Sequence, residues 1–188
     1  MKLLPLEKDC YYHFYNRGNN KENIFKEKEN YYYFLKLMIK HISPICEIFS
    51  YCLLPNHFHL VFKIKDADEL PQSFNEGKTA LHQPFSNLFN AYTKAVNKKY
   101  DRTGSLFQKH PKRIKIEDDE YLKNLIIYVN TNSSHHSIAD FEAYPFSSYQ
   151  PIASNKPTFL FRKEVIELFE DLENFKQVLQ VKNKTLND

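Results

Sequence analysis

Glycine is nearly missing from this chain of 188 residues. Only Gly18, Gly77 and Gly104 occur, and no two are close together. That removes the glycine-rich turns on which P-loop and dinucleotide-binding folds cradle phosphates. Cysteine is also scarce: Cys10, Cys46 and Cys52 are odd in number and lack CxxC spacing. They read as reduced packing residues, not as a disulfide framework or a zinc knuckle. No apolar stretch approaches the roughly 20 residues needed to cross a bilayer. The start, MKLLPLEKDC, has too short an apolar run for a signal peptide. A protein of the cytoplasm with no membrane contact is the expectation.

What is present is aromatic and unevenly charged. The net charge is only +3, but residues 94–115 hold eight Lys/Arg against the single acid Asp101. That segment is therefore +7 and the rest of the chain −4. A basic block inside a patterned segment fits an anionic ligand, although a solvated helix face produces the same charge run.

Hydropathy patterning gives an element order. Residues 11–16 (YYHFYN) suit a strand running into the polar turn RGNNKEN. Residues 29–42 repeat at helical spacing and stop at Ser43-Pro44. Residues 45–54 and 57–65 read as strands joined at Pro55-Asn56, and 66–82 as a loop. Residues 85–100 are helical, and 106–116 can supply a further strand. Asp118 caps a helix running to about residue 131, with Asp119 and Glu120 at its positive end. A turn-rich stretch and one amphipathic helix over about 163–178 close the chain.

The order β-α-β-β-α-β-α plus a tail predicts an α+β fold of the ferredoxin-like, split βαβ kind. Its antiparallel sheet carries helices on one face, with a late helix and a C-terminal helical tail added. One domain over residues 1–150, with an extension over 151–188 packed on it, is the expected organisation.

Within YCLLPNHFHLVFKIK two histidines interrupt a strand pattern. A strand has period two, so His57, His59, Val61 and Lys63 share one face, and Phe58, Leu60, Phe62 and Ile64 the other. Two imidazoles projecting together can converge on a cation, yet zinc hydrolases and cupins use such pairs too. In the helix YLKNLIIYVNTN, Leu122, Leu125, Ile126 and Val129 form the buried stripe. Tyr121, Asn124, Tyr128 and Asn132 form a second stripe about 100° round the wheel. Tyr128 and Asn132 thus stand one turn apart on one face. A phenol, with its pKa near 10, is a weak nucleophile at neutral pH, but beside a cation-bound phosphate it can attack.

These segments resemble a known family. PNHFHLVF is similar to the His-hydrophobic-His (HUH) motif of single-tyrosine transposases that act on single-stranded DNA, with the REP-associated tyrosine transposase branch as best match. YNRGNNKENIF, NLFNAYTKAVNKKYDRTGSLFQ, EYLKNLIIYVNTN and YPFSSYQ extend the likeness, in the family's order, over residues 10 to 175. The resemblance implies Tyr128 as nucleophile, with His57, His59 and Asn132 holding Mg²⁺ or Mn²⁺. The product is a 5′-phosphotyrosine link to hairpin-bearing single-stranded DNA, made by a monomer or homodimer.

Asn16, Arg17, Lys94, Lys98, Arg102, Lys112 and Arg113 are the expected DNA contacts, with Tyr92, Tyr100 and Phe107 as base-stacking candidates. Asn130 and Ser133 depart from the family's histidine and proline at those places. The departures leave open a domesticated relative that grips hairpin DNA without cutting it. A small histidine-pair metal hydrolase is a third reading, although it has no use for the Tyr-Asn stripe.

Overall fold

The computed structural model describes residues 4–187. A four-stranded sheet forms its centre: β1 (Tyr11–Arg17), β2 (Cys46–Leu54), β3 (His57–Ile64) and β4 (Lys112–Ile116). They lie in the order β2-β3-β1-β4, every pair antiparallel. Between β1 and β2 runs α1 (Lys28–His41); between β3 and β4 run the single turn α2 (Gln72–Asn75) and the long α3 (Gln83–Lys99). This is the expected split βαβ arrangement.

Its apolar side is built from phenylalanine. Phe14 of β1 and Phe58 and Phe62 of β3 face Phe85 and Phe89 of α3, with ring centroids 4.8–6.3 Å apart wherever they pair. Phe34 of α1 closes the cluster against Phe58. Tyr92 is fully buried there and donates its hydroxyl to the Ile24 carbonyl at 2.7 Å.

The histidine side is covered as well. α4 (Asp119–His135) crosses it over β2 and β3. Asp118 caps α4 by accepting the Tyr121 N–H at 2.7 Å. The helix outruns its expected end by four residues, through the polar run NTNSSH. Those side chains compete with helical hydrogen bonds when exposed. Here Thr131 Oγ1 donates to the Ile127 carbonyl at 2.9 Å, and Asn130 to that of Ile126 at 2.9 Å.

The tail forms α5 (Tyr149–Ala153), α6 (Arg162–Leu168), which packs on β2, and α7 (Leu172–Asn187), which packs on α4. The single helix expected over 163–178 is thus two. Glu170 adopts a left-handed backbone (φ 72°) and Asp171 starts a new helix by accepting the Asn174 N–H at 2.8 Å. β4 is also shorter than the expected 106–116. Residues 105–108 are tied instead to the turn after β1: Asn19 N–H reaches the Leu106 carbonyl (3.0 Å) and Gln108 N–H that of Arg17 (2.9 Å). Gly18 lets the turn itself close this tightly, since a Cβ there would lie 2.1 Å from the Glu22 carbonyl oxygen. No described helix is long and apolar enough to cross a membrane.

A histidine and tyrosine cleft under the late helix

Register gathers the site. β1 pairs with β3 so that Tyr15 lies opposite His59 and Arg17 opposite His57. His13, Tyr15 and Arg17 therefore share the histidine face. The Tyr15 ring sits 5.4 Å from His59 and 4.7 Å from His13, both stacked. α4 lowers Tyr128 onto the same spot, its ring 5.6 Å from His59 and edge-on to it. His136, at the end of α4, meets His57 at 4.8 Å. Tyr15, Arg17, His57, His59, Tyr128 and His136, with Lys112 and His110 on the β4 side, line a cleft of about 330 Å³.

Each motif histidine uses its Nδ1 inside the protein. His57 Nδ1 lies 2.6 Å from Asn56 Oδ1, an acceptor, so the imidazole donates there. His59 Nδ1 lies 2.9 Å from His13 Nε2, deep in the fold. In the tautomer that has His59 donating, both Nε2 lone pairs are free for a cation. Burial first, and the neighbouring histidines second, hold His59 well below the ordinary imidazole range. Burial, with His136 and Arg17 beside it, lowers His57 to about 4. Both are neutral at physiological pH, the form that binds metal.

Asn132 is fully buried, and neither its Oδ1 nor its Nδ2 has a hydrogen-bond partner among the described residues. It follows Tyr128 by one turn and precedes His136 by one. It shares their side of the helix but is not among the residues that line the cleft. Buried amides are seldom left unpaired, so this one fits an additional cation ligand. Among the described residues no three His, Cys, Asp or Glu side chains are arranged to hold a metal by themselves. The metal donors that line the cleft itself are the imidazoles of His57 and His59.

Asn130 points elsewhere. Its Nδ2 donates to Ser50 Oγ (3.1 Å) and its Oδ1 accepts from Ser148 (2.7 Å), in the packing of α4 on β2. The departure at this position thus lies outside the cleft.

The expected DNA contacts divide. Arg17 and Lys112 line the cleft, and Lys112 Nζ stands 6.0 Å from the centre of the Tyr15 ring. Asn16 spends its amide on the Gln108 carbonyl (3.1 Å) and the Arg17 N–H (2.8 Å), which secures the turn. Arg102 is bound to Glu22 (2.7 Å) and to Asn97 (2.7 Å), although its charge remains in the block. Lys94 and Lys98 are exposed on α3. Arg113, next to Lys112, projects to the opposite face of the sheet, beside Phe14. The stacking candidates Tyr92 and Phe107 are buried core, and the Tyr100 hydroxyl is taken by Glu27 and Asn30.

His13, Tyr15 and His136 were not singled out by pattern. A signal existed for the first two: YYHFYNR alternates, so His13, Tyr15 and Arg17 had to share a face.

A family model described as transposase IS200 like matches residues 7–132. A solved structure of a REP-associated tyrosine transposase bound to a REP hairpin is similar in fold. Its TM-score is 0.62 at 14% identity, over 84% of this chain and 88% of that one. No curated protein matches the chain significantly.

Proposed function

The chain belongs to the IS200-like transposase family, and from that premise we propose that it is a single-strand DNA endonuclease and strand transferase with Tyr128 as its nucleophile. One observation carries the reading: a phenol 39% exposed sits against His59, in a cleft that also holds His57, Arg17 and Lys112. Nucleophile, cation-binding nitrogens and phosphate-binding charges therefore share one small volume.

In this reaction the Tyr128 oxygen, having given up its proton, attacks a backbone phosphorus. The new O–P bond leaves DNA joined to the protein as a 5′-phosphotyrosine, while the P–O3′ bond breaks to free a 3′-hydroxyl. Attack by another 3′-hydroxyl reverses the step and joins strands. No external energy source is needed, because one phosphoester replaces another. Arg17 and Lys112 orient the non-bridging oxygens.

His57, His59 and Asn132 are the residues that would hold Mg²⁺ or Mn²⁺. Such an ion, when bound, polarises the phosphate and offsets charge on the leaving oxygen. His13 acts as a positioning residue, accepting the His59 Nδ1 proton and so presenting Nε2 to the cleft. Tyr15 packs against both rings and restrains them. A hairpin-bearing strand is the proposed substrate, in keeping with the hairpin carried by the structurally similar transposase.

The test is incubation with labelled hairpin-bearing single-stranded DNA and Mn²⁺, followed by denaturing electrophoresis. A protein–DNA adduct that disappears in Tyr128→Phe supports the assignment. Tight binding without an adduct, across a panel of hairpins, would support the domesticated, non-cleaving relative instead.

A further inference from the structure

On the far side of the β1 and β4 ends lies a second cleft of about 500 Å³, between α3 and residues 105–113. It shares Asn16 and Gln108 with the histidine cleft, so the two are separated only by the end of β1. We propose that this cleft binds one unpaired nucleotide of the DNA strand engaged next door, with Arg113 reading its base; guanine is the base it fits best.

Three observations carry the proposal. Arg113 is partly buried, its Nε is shielded from solvent, and its guanidinium has no hydrogen-bond or ion-pair partner among the described residues. A half-buried guanidinium left unpaired in the free protein is costly and calls for a ligand. Neighbouring basic residues show the contrast: Lys99 is paired with Glu27, Arg102 with Glu22 and Lys115 with Glu7.

The walls also suit a base. Phe85, Phe89 and Phe107 supply an apolar side on which Phe89 keeps part of its surface accessible. Ser86, Asn90 and Thr93, spaced for one face of α3, supply a polar side. An aromatic wall facing hydrogen-bonding groups is what an unstacked base requires. Finally, the rim is positive: Lys109 lines it and Lys94 lies one turn from Asn90, both exposed. Phosphate is attracted there without sequence preference, while the arginine fork matches the O6 and N7 acceptors of guanine.

The inference rests on the chain's acting on single-stranded DNA, but its test does not require cutting. Fluorescence anisotropy would be measured on a hairpin of fixed stem with thymine tails, a single guanine being moved through each tail position. One position should bind about tenfold tighter with guanine than with any other base. Arg113→Gln should bring that preference to within about twofold, the guanine-bearing tail losing far more affinity than the all-thymine tails.

Arg113→Lys keeps the charge but loses the fork, and should erase the preference equally. It serves if the glutamine variant is misfolded by circular dichroism. The absence of any guanine-sensitive position would overturn the proposal. So would uniform weakening of all tails with a salt dependence shallower by about one ion, which marks a phosphate contact. Adduct formation is scored separately. A guanine preference without an adduct would count against Tyr128 chemistry alone, and an adduct without the preference against this cleft alone.

Discussion

Two polar clusters lie on the same face of the sheet under α4, and they are finished differently. Around Asn130 the hydrogen bonds close on themselves. Asn130 donates to Ser50, Ser50 to Ser148 and Ser148 back to Asn130, while Tyr51 N–H also reaches Ser148 Oγ at 3.0 Å. Around Asn132, two residues on, the amide oxygen and nitrogen have no partners among the described residues, and on the same face His57 and His59 use only their Nδ1 atoms within the protein. Both asparagines are fully buried. Burial alone therefore does not mark the site; the unspent hydrogen-bonding capacity does. A closed cluster stabilises the fold, whereas an open one keeps capacity that the proposed metal would use.

The comparison is sharpest in stability. Asn130→Leu strands Ser50 and Ser148 and is expected to cost about 3 kcal/mol, read from denaturant unfolding. Asn132→Leu removes an amide that had no partner, so the metal-free protein should lose no stability and can gain about 1 kcal/mol. A large loss at Asn132, equal to that at Asn130, would break the distinction.

Metal binding should show the reverse. His13→Phe keeps a buried ring but removes the partner of His59 Nδ1. It should weaken Mn²⁺ binding roughly 10- to 100-fold, measured by calorimetry without DNA. Asn130→Leu, in whatever fraction remains folded, should leave that affinity unchanged.

The remaining effect is one of pH. His57 titrates near 4 in the folded protein against an ordinary value of 6.5, and burial lowers His13 and His59 too. Between those values the unfolded chain binds protons that the folded one refuses. Stability contributed by these neutral imidazoles is complete above pH 6.5 and declines as pH falls toward 4. The midpoint of metal-free thermal unfolding should fall by roughly ten degrees or more over that window, and less in His13→Phe. The Asn130 cluster contains no titrating group and contributes nothing to the slope.

Much of this site was legible in the chain because it rests on local periods. Alternation placed His57 and His59 on one face, and the helical wheel set Tyr128 above Asn132. The parts that escaped depend on pairing between distant segments. His13 and Tyr15 join only through the register of β1 on β3, and His136 only because α4 runs on past residue 131. The basic block misled for a related reason. A charge count cannot show that Glu22 and Glu27, roughly 70 to 80 residues earlier, neutralise part of it, nor that Lys112 and Arg113 serve opposite faces. Tyr92 and Phe107 looked like stacking residues, but they are core.

The assignment of the nucleophile has one internal rival, since Tyr15 shares the cleft with Tyr128. Mass spectrometry of proteolysed protein–DNA adduct, formed with Mn²⁺ and hairpin-bearing single-stranded DNA, separates them directly. The nucleotide-modified peptide should be the one containing Tyr128, with adduct retained in Tyr15→Phe. Modification found on the Tyr15 peptide, or adduct persisting undiminished in Tyr128→Phe, would contradict the account.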